Sequence, residues 1–192
     1  MVDAWLSSLM GVLWVLTPCY VASALATLPR GRGPPMDFGH VWAGDGRRIF
    51  GPSKTWSGFL FGGFVAMPFG LIEAGLILAA PPPWQLVPQF APTLLEAVPV
   101  VALLTFGAML GDALGSFIKR RLGRESGART LLLDQLPFVL LPIGVGFVVD
   151  PALFVPVFFN AWGLLWLLFF TLGLHTLFNW IGYKAGLKKV PW

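Results

Sequence analysis

Charge is what this sequence has least of. Only 11% of its 192 residues are Asp, Glu, Lys or Arg, against about 25% in a typical soluble domain, which excludes a core-and-surface protein built for water. Cysteine is limited to Cys19, so there is no disulfide framework and no sign of redox compartment, and Cys19 reads as a packing residue. His40 and His175 are the only histidines. They are too few and too far apart in sequence for a metal centre, and His175, inside the last apolar segment, reads as a packing histidine. Residues 1–29 carry no Lys or Arg and one acid, Asp3; the basic region of a cleavable signal is missing, and a retained first span is expected. No internal repeat is evident, which argues against the paired halves common in transporters.

Apolar sequence fills the space that charge leaves. The chain is 56% hydrophobic with mean hydropathy +0.76. Five runs reach the roughly 20 residues that a membrane-crossing helix needs: residues 4–28, 56–80, 93–118, 131–149 and 152–183. Their continuity excludes a barrel, whose strands alternate over about 10 residues. The expected fold is therefore an all-α integral membrane protein with five transmembrane helices in one domain, residues 1–192.

The charges that do occur are sorted. All 13 Lys and Arg fall in the 29–55 loop, the 119–130 loop and the tail. With five spans these share one side, which the positive-inside rule makes cytoplasmic, leaving the N-terminus outside and the C-terminus inside. Asp3, Glu73, Glu96 and Asp150 fall toward the outer side; Asp37, Asp45, Asp112, Glu125 and Asp134 lie toward the inner one. That inner set exceeds what topology requires.

Two of these acids enter apolar sequence. On a helix Asp112 shares a face with Ser116, Lys119 and Arg120 at i+4, i+7 and i+8, about 10 Å below Lys119 at 1.5 Å per residue. Asp134 lies four residues beyond Thr130, about 6 Å into the next span. Ionisable groups placed so are costly and default to function. A pair of carboxylates beneath a ring of cations suits Mg²⁺ carrying a polyphosphate, because Mg²⁺ takes one or two carboxylates together with substrate oxygens. The plainer alternative pairs each acid with a neighbouring cation, and it is the preferred reading for Glu125. Gly107, Gly111 and Gly115 form a small-residue series beside Asp112; it permits close helix packing and can bring a second span's ligand to the same metal. The first loop ends Gly51-Pro52-Ser53-Lys54-Thr55 at the start of the second span, where free amide N–H groups and the helix dipole favour phosphate. The P-loop spacing is absent. The Trp and Phe residues serve as lipid-facing and interfacial anchors, and Phe-rich walls between spans can also hold an isoprenoid or acyl chain.

Residues Gly51-Pro52-Ser53-Lys54-Thr55-Trp56-Ser57-Gly58-Phe59, followed by Gly111-Asp112, Ser116, Lys119-Arg120 and Asp134, resemble in order the signatures of the membrane phosphatidate cytidylyltransferases. The five spans and the Asp37-Phe38-Gly39 to Asp45-Gly46-Arg47-Arg48 loop are more similar to the archaeal branch of that family. The resemblance implies transfer of CMP from CTP to a lipid phosphate from the bilayer, releasing pyrophosphate, at the cytoplasmic face of a multi-pass cell-membrane protein. It implies Mg²⁺ held by Asp112 and Asp134, with Lys54 beside them in catalysis. Nucleotide contacts are expected from Asp45, Pro52, Ser53, Lys54, Thr55, Gly111, Ser116, Lys119 and Arg120. No nucleic-acid partner is expected, and no oligomeric state is assigned. The bacterial-type signature ends in Asp-Arg-x-Asp, whereas this chain has Asp134-Gln135-Leu136-Pro137; Asp45 is the candidate for the missing carboxylate. Two other readings stay open: a CTP-dependent polyprenol or phytol kinase, and a non-enzymatic channel or scaffold.

Overall fold

The computed structural model describes residues 4–81, 85–126, 128 and 130–187. Asp3, Arg129, Lys188 and Lys189 lie outside that set, as does part of the Pro-rich link. The described chain is helical: α1 (Ala4–Leu25), α2 (Trp56–Ala79), α3 (Leu94–Arg121), α4 (Leu131–Gln135), α5 (Pro137–Val149), α6 (Pro151–Phe158) and α7 (Ala161–Lys184). Four of these, α1, α2, α3 and α7, are long and apolar enough to cross a membrane.

Polar caps start the helices where the sequence turns apolar. Thr55 Oγ1 accepts from Gly58 N at 3.2 Å and Thr93 Oγ1 from Glu96 N at 3.2 Å. Asp150 and Asn160 do the same for α6 and α7 through Leu153 N and Gly163 N. Each satisfies a donor that a helix start leaves orphaned, and in lipid no water replaces it.

The sequence reading treated residues 131–149 and 152–183 as single spans. The structure breaks both. Pro137, lacking an N–H, stands at the first turn of α5 and separates it from the five-residue α4. In the last span, Phe159 and the cap Asn160 separate α6 from α7. The third span also runs three residues past the expected end, so Lys119, Arg120 and Arg121 belong to the last turn of α3, where cations complement the helix dipole.

Helix α3 is the centre of the bundle, packed by α1, α2 and α5. Its glycine series faces α4 and α5. A Cβ on Gly107 would come within 2.8 Å of the Pro142 side chain and one on Gly115 within 2.7 Å of the Leu133 carbonyl, while one on Gly111 would overlap the Pro137 carbonyl. Backbone therefore meets backbone at the level of Asp112, and α4, which carries Asp134, is drawn in beside it.

The 26–55 loop has its own order. Met36 N donates to Lys54 O at 2.8 Å, Trp56 N to Pro34 O at 3.0 Å and Trp42 N to Arg47 O at 2.7 Å, making a short hairpin-like stem. Asp37 is its hub, 4% exposed. Its carboxylate accepts from Gly39, Phe50 and Gly51 N–H groups at 3.1, 3.0 and 2.8 Å and pairs with Arg48. Burial pushes the Asp37 carboxyl up, but Arg48 and the three amides outweigh it and hold it well below the usual carboxylate range. The stem docks on α3: Arg121 Nη2 donates to Arg48 O at 2.8 Å, and its guanidinium lies over Trp42 and Phe117. Lys54 is thereby delivered to the cation-bearing end of α3.

Two expectations follow from this packing. Gly111→Ala forces backbone apart and should lower stability by about 1–3 kcal/mol, whereas Gly75→Ala, with nothing within 4 Å, should be neutral; thermal unfolding in detergent compares them. Asp37→Ala should expose the loop to protease while the helices stay resistant. Because the Asp37 carboxyl is depressed on folding, its stabilisation should be complete above about pH 4 and fade as pH falls through the lower folded value. Pepsin digestion of the wild-type loop across that range measures it, and a loop cut equally fast above and below would contradict it.

Candidate active site

The geometry assembles at the inner end of α3, the end that carries the cations. Lys54, from the turn before α2, forms an ion pair with Asp112 on α3. Lys119, two turns further along α3, forms one with Asp134 on α4. The second oxygen of Asp134 accepts from Thr130 N at 2.7 Å, which fixes the carboxylate as α4 begins. The Asp112 side chain is 40% exposed and that of Asp134 17%. Both acids retain oxygen lone pairs beyond those the lysines engage.

Beside these pairs lies a cation that forms no ion pair among the described residues. Arg120 is 8% exposed; its Nη2 donates to the Glu125 carbonyl at 3.0 Å, and its Nε has no partner among the described residues. A buried guanidinium with an unsatisfied donor is costly in a protein and suited to a phosphate. The positive-φ Gly51 sits against that guanidinium, where a Cβ would lie 3.9 Å from Cζ. At that position the backbone conformation, φ +94°, rather than the space calls for glycine, and Pro52 and Ser53 are exposed on the same turn. Ser116 is buried on the Asp112 side of α3.

The expected residues therefore divide. Lys54, Asp112, Lys119, Asp134 and Arg120 come together, Thr55 serves as the α2 cap, and Gly111 and Gly115 bring α4 and α5 close. Asp45 does not join the other two carboxylates: it pairs with Arg121 Nε at 3.0 Å and accepts from Arg47 N at 3.0 Å, closing the loop tip. Among the described residues no group of three His, Cys, Asp or Glu forms a metal cage. Two accessible carboxylates still fit Mg²⁺ that arrives with a nucleotide, since that ion keeps waters and phosphate oxygens in most of its coordination positions.

Two residues escaped the sequence reading. Asp37 carries the loop, and its only sequence signal was the short Asp-Phe-Gly turn. Arg121 looked like one more topology cation and proves to clamp the loop stem. His175, read as a packing histidine, lies against Phe138 with ring centroids 5.4 Å apart and bonds Asn179.

Comparison with known proteins identifies the family. The family model described as "CarS-like: CDP-archaeol synthase" matches residues 5–192. The CDP-archaeol synthase of Methanopyrus kandleri is 41% identical over 189 residues, covering 98% of this chain and 96% of that protein. Those of Thermococcus gammatolerans and Archaeoglobus fulgidus are each 38% identical over 187 residues, 97% of this chain and 98% and 99% of theirs. A solved structure described as "Structural insight into an intramembrane enzyme for archaeal membrane lipids biosynthesis" aligns with a TM-score of 0.61 at 30% identity, over 84% of this chain and 90% of that one. With a family model and relatives matching along nearly its whole length, the chain belongs to the CarS-like CDP-archaeol synthase family of enzymes.

Proposed function

We propose that this enzyme transfers CMP from CTP to the phosphate of an unsaturated isoprenoid ether glycerol lipid, forming a CDP-lipid and pyrophosphate at the cytoplasmic face of the cell membrane. The observation that carries the reading is the convergence of Lys54–Asp112 and Lys119–Asp134 beside buried Arg120 at one end of α3. The names of the full-length relatives support the archaeol type of acceptor.

The acceptor phosphate is already an anion, so the reaction needs little proton transfer. A non-bridging oxygen of the lipid phosphate attacks the α-phosphorus of CTP, a new P–O–P bond forms, and the bond to the β-phosphate breaks as pyrophosphate leaves. Catalysis then consists of positioning and charge neutralisation. Lys54, Lys119 and Arg120 neutralise the triphosphate, while Pro52 to Thr55 and the first amides of α2 shape its cradle. Asp112 and Asp134 would hold Mg²⁺, which supplies further neutralisation and orients the phosphates. As nucleotide binds, Lys54 and Lys119 exchange their carboxylate partners for phosphate oxygens. The charge balance is kept throughout.

The α4–α5 unit is read as the fifth crossing. It packs along α3 from Leu133 beside Gly115 to Pro142 beside Gly107, and at 1.5 Å per residue its 19 positions reach about 28 Å. On this reading the termini lie on opposite sides.

Two tests follow. CTP labelled at the α-phosphate should leave its label in the lipid and γ-labelled CTP should not; lipid labelled only from the γ position would make the protein a lipid kinase. Because the only native cysteine, Cys19, is buried, single cysteines report topology cleanly. Ser53→Cys should react with an impermeant thiol reagent from the cytoplasmic side and Ala152→Cys from the opposite side. Reaction of both from one side would remove the fifth crossing.

A further inference from the structure

The 26–55 loop carries more exposed apolar surface than a segment standing in water needs. Phe38 is 64% exposed, Val41 55% and Trp42 46%. Phe38 is also held in an unusual backbone conformation. It and Gly39 are the central residues of a turn closed by His40 N, which donates to Asp37 O at 2.7 Å, and their φ angles are 46° and 87°. Such positions favour Asn or Gly, and a bulky residue with positive φ is an outlier. With Asp37 buried in the stem, the turn carries the Phe38 ring outward.

The rings of Phe38 and Trp42 stand at the heads of two exposed apolar stripes. On α2, Trp56, Leu60 and Phe64 share a face at i, i+4 and i+8; Leu60 and Phe64 are exposed, and the Phe38 ring lies 6.5 Å from that of Trp56. On α3, Leu110, Leu114, Phe117 and Arg121 share a face at i, i+4, i+7 and i+11. Leu110 and Leu114 are exposed, and Trp42 meets the Phe117 ring edge-on at 5.3 Å. Both helices are long and apolar enough to cross a membrane, so these stripes face lipid. The loop therefore leans over the lipid-facing flank of α2 and α3. Asp112 is two residues from Leu110, about 200° round the helix, which puts the ion pairs of the site on the other side of α3.

Charge fits the same surface. Arg30, Arg32 and Arg47 are exposed on this loop and enter no ion pair among the described residues. The Arg32 carbonyl accepts from Ser57 Oγ, which sets Arg32 beside the start of the α2 stripe. The loop's acids are engaged internally, Asp37 with Arg48 and Asp45 with Arg121.

We propose that this loop is a membrane-seated arm: Phe38, Val41 and Trp42 enter the interface of the leaflet at this end of the bundle, while Arg30, Arg32 and Arg47 contact its anionic lipid headgroups. An apolar edge flanked by unpaired cations is the pattern of a segment lying in a membrane surface. Water would suit the cations alone, and an apolar protein face the rings alone. The stem that carries Lys54 is then steadied by the bilayer as well as by α3. The inference does not depend on the transfer reaction.

The test uses single cysteines, because Cys19 is the only native one and is buried. Phe38→Cys and Val41→Cys are labelled with an environment-sensitive fluorophore and placed in bilayer discs of phosphatidylcholine mixed with phosphatidylglycerol. Emission should shift to the blue of the free cysteine adduct, iodide should quench severalfold less than it quenches that adduct, and lipid spin-labelled at the headgroup should quench strongly. Spin-labelled anionic lipid should quench more than its zwitterionic counterpart. Adding Arg30→Gln and Arg32→Gln to Phe38→Cys should bring that ratio toward unity, with the unfolding temperature unchanged. Iodide quenching equal to that of the free adduct would overturn the assignment. So would shielding from iodide without quenching by lipid, the result expected if a second copy or the bound nucleotide covered the loop. An anionic-to-zwitterionic ratio unmoved by the arginine substitutions would overturn the headgroup contact.

Discussion

The structure depends on keeping carboxylates charged where lipid surrounds the chain. An aspartate within an apolar helix is tolerated only with a partner close at hand. Asp112 obtains Lys54, and Asp134 obtains Lys119 together with the Thr130 amide. Each requirement recruits backbone from elsewhere. Lys54 reaches α3 because the stem around Asp37 is ordered and because Arg121 clamps that stem by its carbonyls and by Trp42. Asp134 reaches the same level because Gly111 and Gly115 allow the α4–α5 turn against α3. On the proposed reaction, the pairs that stabilise the resting enzyme are also the groups that a metal–nucleotide complex would redistribute.

Much of the bundle is legible in the sequence because hydropathy and length act locally. The runs at 4–28, 56–80 and 93–118 correspond to α1, α2 and α3 within a few residues at most ends. The last two runs were less legible. Apolar content is continuous through Pro137 and through Phe159-Asn160, and it is backbone chemistry, a missing N–H in one case and a capping side chain in the other, that divides them. Hydropathy does not record either event. Prolines at positions 18, 68, 99, 142 and 156 lie inside helices without ending them, so proline alone was no guide to which site would break.

The site was legible to the extent that it lies on short stretches of chain. Asp112 and Lys119 share a helix face, and Lys54 and Thr55 stand at a helix start, so periodicity finds them. Their pairing across elements was not legible: the sequence reading grouped Asp112 with Lys119 and Arg120, whereas the structure crosses the pairs, giving Asp112 to Lys54 and Lys119 to Asp134. Asp45 was the candidate for the carboxylate that the bacterial-type signature has and this chain lacks, and local contacts to Arg121 and Arg47 hold it at the loop tip instead. His175, read as a satisfied packing histidine, does pack against Phe138 and bond Asn179.

The central claim is that Asp112 is the carboxylate that receives the metal carried by CTP, with Lys54 released to phosphate. Equilibrium binding of CTP to detergent-purified wild type and Asp112→Asn, with and without Mg²⁺, tests it most directly. Mg²⁺ should tighten CTP binding to the wild type and fail to do so in a folded Asp112→Asn protein. Equal enhancement by Mg²⁺ in both would contradict the account and leave the Lys54–Asp112 pair a purely structural one.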